Sequence, residues 1–129
     1  SMKEISKRDL ELICIGAHQA MFSYDRGESD KFGIEVSWEQ TPEWIRDIER
    51  LRVHVILSNF HGFSRDIQEC WVDLLKLQGY TLCDEGCNDL PTKKYSGMTD
   101  HLSTSRYFSA FDETVRLMYI WGIDETGNT

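Results

Sequence analysis

Apolar side chains recur along this chain at helical spacing. Leu10, Ile13, Ala17, Ala20 and Met21 make one stripe and predict a helix over residues 7–22. Ser6 stands where an N-cap belongs, with Asp9 at the capping-box position and Ile5 and Leu10 spaced as a hydrophobic staple. Trp44, Ile48, Leu51 and Val55 predict a second helix ending near residue 57. Its start reads as Thr41-Pro42-Glu43: a cap, a proline at the first helical position and an acid on the helix dipole. Ile67, Trp71, Leu74 and Leu75 predict a third helix after Ser64, closed by Gly79. Tyr107, Phe111, Val115 and Met118 predict a fourth over residues 104–121, capped by Ser103 and ended by Gly122.

Between the helices the pattern changes. Residues 23–36 hold loop chemistry, with Phe32, Ile34 and Val36 alternating into Trp38. Residues 80–83 read as a short strand, residues 84–91 as a turn, and residues 92–95 as the returning strand. The expected fold class is therefore α+β: a predominantly helical single domain of about four helices with a small β-hairpin. It spans residues 2–123 and is followed by a polar tail, residues 124–129. Ser1 ahead of Met2 reads as a tag-cleavage scar, and no signal-peptide pattern follows, so the expected location is cytoplasmic.

The chain has 129 residues, 14 Lys+Arg against 22 Asp+Glu, and a formal net charge of −8. That length suits one domain with its own core. The acidic balance excludes an extended nucleic-acid footprint, which needs a basic face. It leaves room for one small anionic ligand held by a few local cations. No apolar run is long enough to span a membrane. Cys14 and Cys70 lie within apolar helical stretches and read as buried small hydrophobes. Cys83 and Cys87 have zinc-ligand spacing, but no second close Cys/His pair follows, so no metal is expected.

Phosphate-cradling glycine loops, a nucleophile elbow and a His-Glu-x-x-His motif are all missing, so catalysis is the weaker class. Aromatic side chains are the richer signal. Trp38 and Trp44 bracket Pro42, Trp71 precedes Gly79-Tyr80, and Lys93-Lys94-Tyr95 stands across the expected hairpin. Aromatic faces stack on bases while lysine and arginine pair with phosphates. The competing reading is packing, since Trp44 and Trp71 both lie on core stripes. Arg46, Arg50 and Arg52 fall largely off the apolar stripe, where pairing with Asp47 and Glu49 on a solvated face is the simpler account for at least two of them. His18, beside the first stripe, reads as a structural histidine.

Taken in order, these segments resemble the RyR domain, the repeat of ryanodine receptors that also occurs as small stand-alone bacterial and phage chains. The similar stretches are residues 13–22, the Trp-x-x-x-Pro-x-Trp of residues 38–44, Val53-His54-Val55, Trp71, Gly79-Tyr80, Leu102-Ser103, and residues 113–118 closing at Gly122. Gln68 stands where the family usually has histidine, and Gly79-Tyr80-Thr81-Leu82-Cys83 where it has Gly-Trp-x-Tyr-Gly. The resemblance implies binding of a nucleotide or nucleotide-derived signal, in phage–host conflict, with no separate cofactor. The expected ligand-binding set is Trp38, Trp44, Arg46, Arg50, His54, Trp71, Tyr80, Lys93, Lys94 and Tyr95. Trp71 and Tyr80 would stack the base, and Lys93 and Lys94 would neutralise phosphate. Two other readings stay open: an acidic module that docks on a host protein or on a second copy of itself, and a hydrolase using His18, His54 or Cys83.

Overall fold

The computed structural model describes residues 5–24, 37–83, 101–103 and 108–122. Its first helix begins as the sequence predicts: Ser6 Oγ accepts the Asp9 N–H at 3.1 Å, satisfying an amide that the first helical turn leaves free. Helix α1 then runs Lys7–Tyr24. A single 3-10 turn, Trp38–Gln40, leads into α2 (Glu43–Ser58), α3 (Ser64–Leu77), the short strands β1 (Thr81–Cys83) and β2 (His101–Ser103), and α4 (Phe108–Trp121).

Helix α2 lies in the middle. It packs against α1, α3 and α4, and α1 also packs against α4. Ile13 and Ala17 of α1, Ile48 and Val55 of α2, Ile67 and Trp71 of α3, and Phe111 and Val115 of α4 meet in the buried core. These are stripe positions, so the 3.6-residue period alone selects the inward faces of three of the helices. The fourth, α2, is enclosed more widely: Ile45, Val53, Ile56 and Leu57 are buried besides the expected stripe.

Two glycines end helices as predicted. Gly79 has φ +96° and Gly122 φ +98°, in the left-handed region where a Cβ is strained. After α3 the Gly79 N–H reaches the Lys76 carbonyl at 3.0 Å and the Tyr80 N–H reaches Leu75 at 3.1 Å. This pair of bonds is a Schellman motif, and it fixes where Tyr80 emerges. Three caps differ from expectation, that of α4 among them: Ser103 lies in β2, and α4 starts at Phe108 rather than near residue 104. Pro42 itself occupies the N-cap of α2 and Phe63 that of α3, neither with a side-chain cap bond. Ser64 is the first residue of α3 rather than its cap, and Thr41 is drawn elsewhere, as described below.

The expected β-hairpin is corrected. Residues 81–83 are extended, but they pair in parallel with residues 101–103, Thr81 opposite His101 and Cys83 opposite Ser103. Parallel strands are never joined by a tight turn. The segment expected to return, residues 92–95, lies outside the described residues. Turn-forming composition over residues 84–91 favours a change of chain direction, yet it does not select which later segment meets β1. Two three-residue strands add few ladder bonds, so the fold is mainly helical rather than α+β. No helix among the described residues is long and apolar enough to cross a membrane.

Candidate functional site

Buried polar side chains interrupt the apolar packing at two places. The first joins α1, α2 and the 3-10 turn. His18 Nδ1 lies 2.9 and 3.1 Å from the two Glu49 carboxylate oxygens, and its Nε2 lies 3.3 Å from Thr41 Oγ1. Thr41 Oγ1 donates to the Ser37 carbonyl at 2.7 Å. A carbonyl only accepts, so the hydroxyl proton is committed there and Nε2 must donate to Oγ1. With Nδ1 bonded to a carboxyl group, the set carries one proton more than a neutral imidazole beside a carboxylate.

Hydroxyl, imidazole and carboxylate in this order are the parts of a nucleophilic triad. Here they are sealed: Thr41, His18 and Glu49 are 3%, 0% and 2% exposed. The hydroxyl proton points away from the imidazole. What the arrangement does is hold the 3-10 turn, with Trp38 placed edge-on to His18 at 5.5 Å between ring centres, against α1 and α2. Cys14 lies in the same region, and burial, reinforced by Glu11 and Glu49, pushes its thiol well above the ordinary range. It is an inert core thiol. Cys70, expected to be buried, is exposed on α3 instead, because it falls beside the Ile67–Trp71–Leu75 stripe and not on it.

Burial pushes the Glu49 carboxyl above its ordinary value of 4.5, against the opposing pull of the His18 hydrogen bond and charge and of Arg50. A carboxyl raised on folding binds more protons in the native state than in the unfolded one. Its stabilising contribution is present below about pH 4.5 and declines as pH rises through the folded value. The stability of the wild type minus that of Glu49→Gln is therefore expected to fall as pH rises through this window. Thermal melts from roughly pH 4 to 8 check it; a difference that rises with pH contradicts the assignment.

The second buried cluster joins α2, α3 and α4. Arg52 donates to both Asp112 oxygens, Nε and a terminal nitrogen each at 2.8 Å, and to Gln68 Oε1. Its guanidinium carbon stands 4.8 Å from the Trp71 ring centre, and Trp71 Nε1 donates to the Ile48 carbonyl at 2.9 Å. Arg52 and Asp112 are 1% and 0% exposed. Of the three arginines, at least two of which were expected on a solvated face, Arg52 is the buried one, and Glu49 pairs with His18 rather than with an arginine.

Trp38, Arg46 and Arg50 do come together. Both guanidinium carbons stand 5.4 Å from the Trp38 ring centre, within cation–π range. Arg46 also donates to the Trp38 carbonyl at 2.9 Å and to the Glu39 carbonyl at 2.7 Å, closing the 3-10 turn. Arg50 is held by Glu11, Glu43 and Asp47 at 2.6–2.8 Å. Its hydrogen bond holds the Glu11 carboxyl below the ordinary range. With three carboxylates on it, Arg50 has no spare charge for a phosphate. Arg46 is freer: its ion pair among the described residues is a 3.4 Å contact with the exposed Glu43.

Trp44 and Tyr80 form a separate aromatic pair, ring centres 6.3 Å apart and planes inclined by 28°. Tyr80 is buried and Trp44 half-buried. Trp44 Nε1 is buried without a hydrogen-bond acceptor among the described residues. The remaining expected residues do not join it. Trp71 is 0% exposed and offers no open face for a base to stack on. His54 is exposed on α2. Lys93, Lys94 and Tyr95 lie outside the described residues. Sequence reading took Thr41 for a helix cap and Glu49 for an arginine partner, gave Gln68 no part in the packing, and did not reach Asp112, although these four organise the buried clusters. Set beside family models, curated proteins and solved structures, the chain matches none of them.

Proposed function

We propose that this chain is a small non-catalytic binding domain for a nucleotide or nucleotide-derived signal, with Trp44 and Tyr80 as its aromatic wall. One observation carries the reading: the Trp44 indole N–H is buried and has no acceptor among the described residues. A buried donor left unpaired costs about 1–3 kcal/mol, and a ligand acceptor would remove that cost. The stacked Tyr80 ring behind it supports the same assignment, since flat aromatic surfaces with one unfilled polar group suit a heterocyclic base. The ordered resemblance to RyR domains supports the ligand class. The sealing of His18, Glu49 and Thr41 favours binding over hydrolysis.

Calorimetry with ATP, ADP, ADP-ribose and cyclic dinucleotides tests the proposal. Saturable binding of at least one is expected. Trp44→Ala should weaken it by roughly 1–3 kcal/mol, the usual worth of one base-stacking side chain. If none of these ligands binds, or if Trp44→Ala binds as tightly as the wild type, the assignment is wrong.

A further inference from the structure

Helix α4 turns Phe111, Val115 and Met118 into the core. Its opposite face ends in Leu117, Ile120 and Trp121, which are 44%, 60% and 76% exposed. Their spacing places them together over the last helical turns. Arg116 donates to the Gly62 carbonyl at 2.8 Å, so the turn before α3 touches this helix at the residue preceding Leu117. Phe63, next in that turn, is 79% exposed. Large apolar side chains clustered on a surface mark an interaction site, and tryptophan is the commonest anchor of one.

The charges say what covers it. Glu113 is exposed on the same helix face one turn before Leu117, and the chain as a whole carries a formal charge of −8. Of the nearby cations, Arg116 already serves Gly62 and Glu113, and Arg65 stands 3.7 Å from Glu69. Two copies meeting here would set a formal charge of −8 against another of −8, which opposes association. We propose that the Leu117–Ile120–Trp121 face docks a protein segment whose apolar residues recur at helical spacing and are flanked by lysine or arginine. This inference rests on the interaction reading raised by the net charge and is independent of the ligand site at Trp44.

Fluorescence anisotropy of labelled synthetic helical peptides against the full chain tests it. One peptide carries leucines at positions i, i+3, i+4 and i+7 flanked by lysines; a second keeps the leucines and replaces each lysine with glutamate. The lysine peptide is expected to bind, more weakly as salt rises, and the glutamate peptide at least about tenfold less tightly. Trp121→Ser should weaken the lysine peptide about tenfold or more, while Leu77→Ser, at an exposed position of α3, should not. Thermal melts confirm that both variants fold. Binding unchanged by Trp121→Ser overturns the face but keeps the interaction reading. Equal binding of both peptides overturns the charge argument. Failure of both peptides on a monomeric chain overturns the interaction reading itself. A dimer in sedimentation velocity that Trp121→Ser dissociates makes a second copy the occupant and overturns the basic partner.

Discussion

Asp112→Asn is expected to destabilise the protein by roughly 3–5 kcal/mol, the usual result of removing one partner of a buried ion pair. The cause is what it leaves behind. Arg52 is 1% exposed, and two of its donors point at Asp112 oxygens 2.8 Å away. Asparagine fills the same space without the charge, so the guanidinium stays enclosed beside the Gln68 carbonyl oxygen and the Trp71 ring, with no carboxylate from residue 112 to balance it. Urea unfolding should show the midpoint falling with the slope unchanged, which separates a native-state loss from a change in the unfolded chain. The double variant Arg52→Met, Asp112→Leu should recover most of the loss, because removing both charges also removes their desolvation cost. A loss under about 1 kcal/mol for Asp112→Asn would mean that water or another acid reaches the guanidinium.

This pair also shows where sequence reading stops. The stripes of α1, α3 and α4 were legible because each of those helices buries one face, and one face is what a 3.6-residue period reports. Gly79 and Gly122 were legible because a left-handed helix end selects glycine locally. Helix α2 is central, and a central helix encloses polar positions along with apolar ones. Its extra apolar positions, Ile45, Val53, Ile56 and Leu57, were the available sign that more than one face is covered, and that Glu49 and Arg52 between them are covered too. Their partners were not legible. Asp112 lies sixty residues from Arg52 and His18 thirty-one from Glu49, and no local spacing encodes such pairings. The strand partner failed for the same reason: β propensity marks an extended piece, while pairing direction is set by the rest of the fold. In the candidate site, Trp44 and Trp71 both occupy helical stripes, so their pattern could not separate a ligand wall from a core filler; exposure does.

Trp71→Ala is expected to cost about 3–5 kcal/mol, as large aromatic-to-alanine changes in cores do. The ring is 0% exposed, so its removal leaves a void that the neighbours on α2 and α3 fill only in part, and it strips the Arg52 guanidinium of the aromatic face 4.8 Å away. Trp71→Phe keeps much of that volume and loses the hydrogen bond to the Ile48 carbonyl. That change should cost about 1 kcal/mol for the bond, and more where the smaller ring packs loosely. The two variants together separate packing from recognition. Because no face of the indole is open, Trp71→Phe should leave nucleotide affinity within about twofold of the wild type, whereas Trp44→Ala should weaken it by the stacking amount. Trp71→Ala should lose binding only in proportion to the fraction unfolded, and titration well below its melting temperature should restore wild-type affinity. If Trp71→Phe instead abolishes binding while its melting curve stays close to the wild type, the base stacks on Trp71 after all, and α3 must move away from α2 when ligand enters.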